Sequence, residues 1–145
     1  MNMISEKIVL VLAILVISCF ILGCAKPATS DQVVEVDRTA GYTDVSVQEA
    51  KKMIDSGEVF LLDVRTVNEF ETEHIEGAVN INVNELGSRL DEVSRDETIL
   101  VYCRTGARSV TASNILVDAG YADVYNMLGG INKWKAEGYP YVSGS

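Results

Sequence analysis

TILVYCRTGARS, Thr98 to Ser109, holds a strand, a tight polar loop and the start of a helix in one short stretch. Thr98 to Tyr102 is a nearly continuous apolar run, the pattern of a strand covered on both faces. From Ser109 the period becomes helical. Ala112, Ile115, Leu116 and Ala119 share one stripe, and Gly120 supplies the C-terminal stop. A buried strand that feeds straight into a helix is half of a β-α-β unit, so this stretch points to an α/β domain.

The flanking sequence repeats the alternation. Upstream, Ser46 and Glu49 form a capping box for a helix that buries Val47, Ala50 and Ile54 and stops near Gly57. Val59 to Val64 (VFLLDV) reads as a second fully buried strand. Thr66 and Glu69 make another capping box, opening a short helix to about Glu73, and Glu69 is a capping residue first. Residues 78–83 (AVNINV) alternate as a strand, followed by a helix with Leu86, Leu90 and Val93 on one side. Downstream, Val124 to Leu128 is a last strand, and Ile131 to about Gly138 is a last helix whose Trp134 packs into the core. Strands alternating with helices imply a parallel sheet with helices on both faces, and ligands at the carboxyl ends of its strands. Cys103 occupies such an end.

The N-terminus has a different composition. Ile8 to Leu22 is fifteen residues without a charge, short for a membrane-spanning helix and right for the core of a signal peptide. The run ends in Ile21-Leu22-Gly23-Cys24, which resembles the lipobox of prokaryotic lipoproteins, whose cysteine is acylated and becomes the mature N-terminus. Residues 1–23 are therefore expected to be a lipoprotein signal peptide, with Cys24 lipidated. Residues 24–41, polar and turn-rich, would tether the domain at 42–145 to the bilayer. An uncleaved transmembrane anchor and a cleaved, free exported protein are the alternatives. Each of the three readings places the domain outside the cytoplasm.

Charge and cysteine usage narrow the function. A formal net charge of −9 with no basic cluster argues against nucleic acid as a partner. Of three cysteines, Cys19 would leave with the signal peptide and Cys24 would be acylated, so Cys103 remains as the one thiol. A single thiol in an oxidising compartment stands out as either reactive or paired between molecules. With one histidine, His74, beside that thiol, no zinc-type metal site can be assembled from soft ligands, and no cofactor is expected.

The loop Cys103-Arg104-Thr105-Gly106-Ala107-Arg108 explains why that thiol is reactive. A tight turn at Gly106 can aim successive backbone N–H groups inward as an anion nest. The next helix points its partial positive charge at the same spot, and Arg104 and Arg108 add two permanent cations. Such settings lower a cysteine pKa from about 8.5 to roughly 3.5–7.5, so Cys103 is expected as a thiolate.

At these residues the sequence resembles the rhodanese family of sulfurtransferases. Leu62-Asp63-Val64-Arg65 with Glu69-Phe70, His74-Ile75-Glu76-Gly77-Ala78, Leu128-Gly129-Gly130-Ile131 with Trp134, and Gly138-Tyr139-Pro140 extend the resemblance over about Gly41 to Pro140. It implies a three-layer α/β/α domain with a five-stranded parallel sheet, and transfer of sulfane sulfur through a Cys103 persulfide. The donor would be a small anion such as thiosulfate, oriented by Arg104 and Arg108 and held by the loop from Arg104 through Arg108. The acceptor would be cyanide, an external thiol or a partner protein. His74 falls in a structural segment of the match, and Asp63 and Arg65 are expected as an internal ion pair. Arg108 is assigned to donor binding, with pairing to Asp63 or Glu69 as its structural alternative.

Two other functions fit parts of this pattern. Cysteine phosphatases and arsenate reductases hold a tetrahedral oxyanion in a similar cradle, but place five residues between cysteine and arginine. Here four separate Cys103 from Arg108, a smaller ring that suits sulfur. A rhodanese-type carrier, sensor or docking module without turnover is the other alternative, and the retained cysteine argues against docking alone.

Overall fold

The computed structural model describes residues 41–144. The expected signal peptide, Cys24 and residues 24–40 of the expected tether lie outside the described residues.

Five parallel strands form one sheet in the order β1-β5-β4-β2-β3. They are β1 (Thr43–Val45), β2 (Val59–Asp63), β3 (Val79–Asn80), β4 (Thr98–Tyr102) and β5 (Val124–Met127). The helices are α1 (Val47–Ser56), α2 (Val67–Thr72), α3 (Val83–Leu86), α4 (Ala107–Asp118) and α5 (Gly130–Ala136), with a 3-10 turn at Leu90–Glu92. The two five-residue strands, β2 and β4, lie side by side in the middle in full register from Val59↔Thr98 to Asp63↔Tyr102.

Alternation along the strands divides the core in two. Ile99, Val101 and Cys103 face one side, with Leu62, Val64, Ala112 and Leu116, so α4 covers that layer. Leu100 and Tyr102 face the other, with Leu61, Met127, Ile131 and Trp134, so α5 packs there, joined by α1 through Val47 and Ala50. The α/β/α architecture follows from two strands apolar on both faces, which can be buried only by helices above and below.

Both expected capping boxes form. Ser46 accepts from the Glu49 N–H while the Glu49 carboxylate accepts from the Ser46 N–H, and Thr66 and Glu69 repeat the arrangement. Trp134 is buried at 1% exposure, and its indole donates to the Pro140 carbonyl at 2.8 Å.

Four elements differ from the expectation. The strand read over 78–83 is reduced to Val79–Asn80, because β3 is an edge that pairs with β2 alone. The helix through Leu86, Leu90 and Val93 breaks after Gly87 into α3 and the 3-10 turn. The Tyr121 hydroxyl lies 2.7 Å from the Leu90 carbonyl and 3.1 Å from that of Val93, groups that do not continue a helix, while Leu86 and Val93 still reach the core. Helix α4 starts at Ala107 rather than Ser109, since Gly106 at φ +111° already turns the chain. Strand β1 was not read at all. Its three residues pair only with β5, from Thr43↔Tyr125 to Val45↔Met127, too short a stretch for a period to show.

Candidate active site

Cys103 is the residue after β4, and it keeps that strand's alternation. Its side chain therefore falls on the α4 side of the sheet, at the head of the helix that the loop is about to enter. The residue is 1% exposed. The Gly106 N–H donates to Sγ at 3.1 Å.

A second segment sets the direction of the loop's peptide groups. The Ile131 N–H donates to the Cys103 carbonyl at 2.9 Å, and the Asn132 N–H to the Arg104 carbonyl at 3.1 Å. In a trans peptide the N–H points opposite to the C=O. Drawing both carbonyls toward α5 turns the N–H groups of Arg104 and Thr105 the other way. The Thr105 N–H joins those of Gly106 and Ser109 around the sulfur.

This clamp depends on Gly130, at φ +56°. A Cβ there would stand 2.4 Å from the Cys103 carbonyl oxygen and 2.7 Å from the carbonyl carbon and oxygen of Arg104. The Gly129-Gly130 pair was legible only as part of a family signature. Its role in orienting the loop was not, because the contact joins residues far apart in sequence.

The thiol sits between opposing effects. Burial pushes its pKa up. The Ser109 hydroxyl and the N–H groups of Ser109, Gly106 and Thr105 outweigh burial and hold the pKa below the ordinary thiol value. Ser109 is fully buried, and its Oγ is also 2.9 Å from the Gly106 carbonyl. One hydroxyl proton serves one acceptor at a time, and the ionised sulfur is the stronger acceptor. Ser109 was not among the expected site residues. Its place as the first serine inside α4 was a signal that could have found it.

The two loop arginines differ. Arg108 makes a bidentate pair with Glu69, Nη1 to Oε2 at 2.7 Å and Nη2 to Oε1 at 2.9 Å. This is the structural alternative considered for it. The Arg108 guanidinium holds the Glu69 carboxyl down at about 2, well below the usual carboxylate range. Glu69 thus caps α2 and fastens the far end of the loop to it. Arg104 is exposed and has no carboxylate partner among the described residues. Thr105 and Ala107 are also exposed, and Gly106 is half-buried.

Asp63 and Arg65 form the expected internal pair. Both are buried, with Nη2 to Oδ2 at 2.6 Å, and Arg65 also donates to the Glu73 carbonyl at 2.6 Å. His74 stacks on Phe70 with ring centroids 3.9 Å apart, and its Nδ1 lies 2.9 Å from the Phe70 carbonyl oxygen. Its backbone pairs with Val142, which draws the C-terminal segment onto the end of α2. These contacts give His74 a structural place.

A thiol whose ionised form is stabilised by a ring of N–H donors, beside an unpaired guanidinium, can attack an electrophilic atom of an anion and keep the negative charge of the product. Known proteins share this architecture. Residues 46–137 match the family model described as a rhodanese-like domain. A sulfurtransferase of Allochromatium vinosum is 34% identical over 94 residues, spanning 65% of this chain and 88% of that protein. Thiosulfate sulfurtransferase GlpE of Coxiella burnetii is 30% identical over 95 residues, spanning 66% of this chain and 89% of that protein. Among solved structures, a rhodanese-related protein from Thermoplasma volcanium superposes with a TM-score of 0.65 at 31% identity, covering 70% of this chain and 98% of that one.

Proposed function

The chain belongs to the rhodanese-like domain family, and we propose that it moves sulfane sulfur from thiosulfate or a similar small anion to a thiophilic acceptor through a persulfide on Cys103. The observation that carries this reading is the thiol itself: buried, yet with the Gly106 N–H on its Sγ at 3.1 Å and its pKa held below the ordinary thiol value by the Ser109 hydroxyl and the N–H groups of Ser109, Gly106 and Thr105.

In the first step the Cys103 thiolate attacks the outer sulfur of thiosulfate. The new Sγ–S bond forms as the bond to the sulfonate sulfur breaks, and sulfite leaves with that electron pair. The negative charge passes from Sγ to the outer sulfur of the persulfide. A preorganised ring of N–H groups stabilises charge at both positions without rearranging, which is where such a cradle contributes most. Arg104 orients the dianionic donor over the loop, while Arg108, neutralised by its bidentate pair with Glu69, fastens the loop's far end. Cyanide or a thiol then takes the outer sulfur and returns the Cys103 thiolate. The domain is proposed to work outside the cytoplasm, tethered by a lipid on Cys24. The support for this is the apolar run Ile8 to Leu22 ending at Gly23-Cys24.

The test is the intact mass of the full-length protein after incubation with thiosulfate, before and after cyanide. The expected result is a gain of one sulfur, absent in Cys103→Ser, which cyanide removes as thiocyanate. No gain from thiosulfate or polysulfide would refute sulfurtransfer. Loading without release to any small acceptor would make the protein a carrier for a specific partner.

A further inference from the structure

Two guanidinium groups flank the loop, and the fold treats them differently. Arg108 is the second residue of α4, where the helix end already carries a partial positive charge, so a cation there adds like charge to like. Glu69 offsets it. Its two oxygens accept from Nη1 at 2.7 Å and Nη2 at 2.9 Å, and its Oε2 also accepts from the Thr66 N–H at 3.2 Å. Arg104 lines a cleft beside the loop together with Glu69, yet has no carboxylate partner among the described residues.

The Glu69 pair bears on the thiol as well as on α2. Hydrogen bonds to Glu69 hold the Arg108 pKa above the ordinary guanidinium value against burial, and the charges of Glu69 and Cys103 add to that. Arg108 is therefore near enough to the sulfur for its charge to be felt there. With Glu69 in contact, two opposite unit charges act on the loop and nearly cancel.

We infer that Glu69 is a specificity-determining residue: by neutralising Arg108 it limits the positive charge met by an incoming donor to that of Arg104 and the α4 terminus, and so sets how strongly the site favours a dianionic sulfur donor over a monoanionic one. The inference rests on the persulfide reading above. Both donor classes load the thiol by the same bond exchange. The Cys103 thiolate bonds to the outer sulfur of thiosulfate or methanethiosulfonate as that sulfur's bond to the oxidised sulfur breaks. Sulfite or methanesulfinate leaves with the electron pair, and no proton, oxidant or further reductant takes part. The donors differ in charge, two units against one, so a unit charge gained or lost beside the loop acts twice as strongly on thiosulfate.

Glu69→Gln removes the charge and little else. Glutamine also serves in capping boxes, and its carbonyl oxygen in the Oε2 position keeps the bonds from Thr66 and Arg108 Nη1, leaving Nη2 without its acceptor. The experiment measures the second-order rate of Cys103 persulfidation in the full-length protein, by intact mass, with each donor at low ionic strength. A unit charge about 10 Å away in a partly exposed site changes the rate by roughly threefold per donor charge. Glu69→Gln should thus speed methanethiosulfonate about threefold and thiosulfate about ninefold, raising their ratio about threefold. Arg108→Gln leaves the carboxylate uncompensated and should lower the ratio about threefold, and the two substitutions together should restore it. Because each ratio is taken within one preparation, partial loss of folded protein cancels. A ratio unmoved by both single substitutions, moved in the same direction by both, or not restored in the double variant would overturn the role of Glu69 while leaving sulfurtransfer standing. Failure of both donors and of polysulfide to load Cys103 in the unaltered protein would overturn the persulfide reading and this inference together.

Discussion

Replacing Gly130 by alanine tests whether the loop's reactivity depends on a clamp formed by a different part of the chain. Two costs add. At φ +56° a Cβ is disfavoured by roughly 1 kcal/mol, the usual penalty of the left-handed region for an L-residue. The same Cβ would stand 2.4 Å from the Cys103 carbonyl oxygen, so the loop must retreat by about 1 Å to restore ordinary contact. That retreat weakens the bonds from Ile131 and Asn132 to the Cys103 and Arg104 carbonyls, each contributing about 1 kcal/mol net. The expected loss is therefore about 3 kcal/mol. Gly57 is the control: it too has positive φ, at +74°, but a Cβ there meets nothing within 4 Å. Gly57→Ala should lose only the first term, about 1 kcal/mol. Urea denaturation of both variants measures the difference, with midpoints lowered by roughly 1–2 M and 0.5 M respectively for a small domain. Thiosulfate:cyanide turnover should separate them further. A misplacement of about 1 Å at the reacting group can cost on the order of a hundredfold, whereas the Gly57 variant leaves the loop untouched. Equal midpoints and equal turnover in the two variants would refute the clamp.

Two other outcomes are expected. The rate of Cys103 alkylation by iodoacetamide should rise with pH through an inflection below the ordinary thiol value of about 8.5, and Ser109→Ala should move that inflection upward; an unmoved inflection would remove Ser109 from the thiolate's support. The sign carries to stability: a depressed folded pKa stabilises the fold fully above about 8.5, and that contribution is lost as pH falls through the lowered folded value. Finally, metabolic labelling of the producing cells with a clickable fatty acid should tag the full-length protein and not Cys24→Ser, and equal labelling of the two would end the lipid-anchor proposal.

The residues themselves determined the α/β class, most of the element order and the place of the candidate nucleophile, Cys103, at a strand end. VFLLDV and TILVY are apolar on both faces, so each demands helices above and below it. The two capping boxes mark helix starts within four residues, and a cysteine at a strand end before a glycine turn is a local pattern. Sequence neighbours carry these signals, because capping, periodicity and turn geometry act over a few residues. Tertiary structure decided what joins distant segments. Strand β1 exists only because β5 pairs with it, and the 86–93 segment bends where Tyr121 claims its carbonyls. Sequence left Arg108 between donor binding and a pair with Asp63 or Glu69, and the fold chose Glu69, 39 residues away. Ser109 became part of the thiol's surroundings only once α4 was seen to start at Ala107 and bury it. The direction of the loop's N–H groups came from α5, through a glycine whose missing Cβ leaves space for the Cys103 carbonyl. Backbone orientation and cross-chain pairing depend on which elements lie side by side, and that is a property of the packed sheet rather than of any window along the chain.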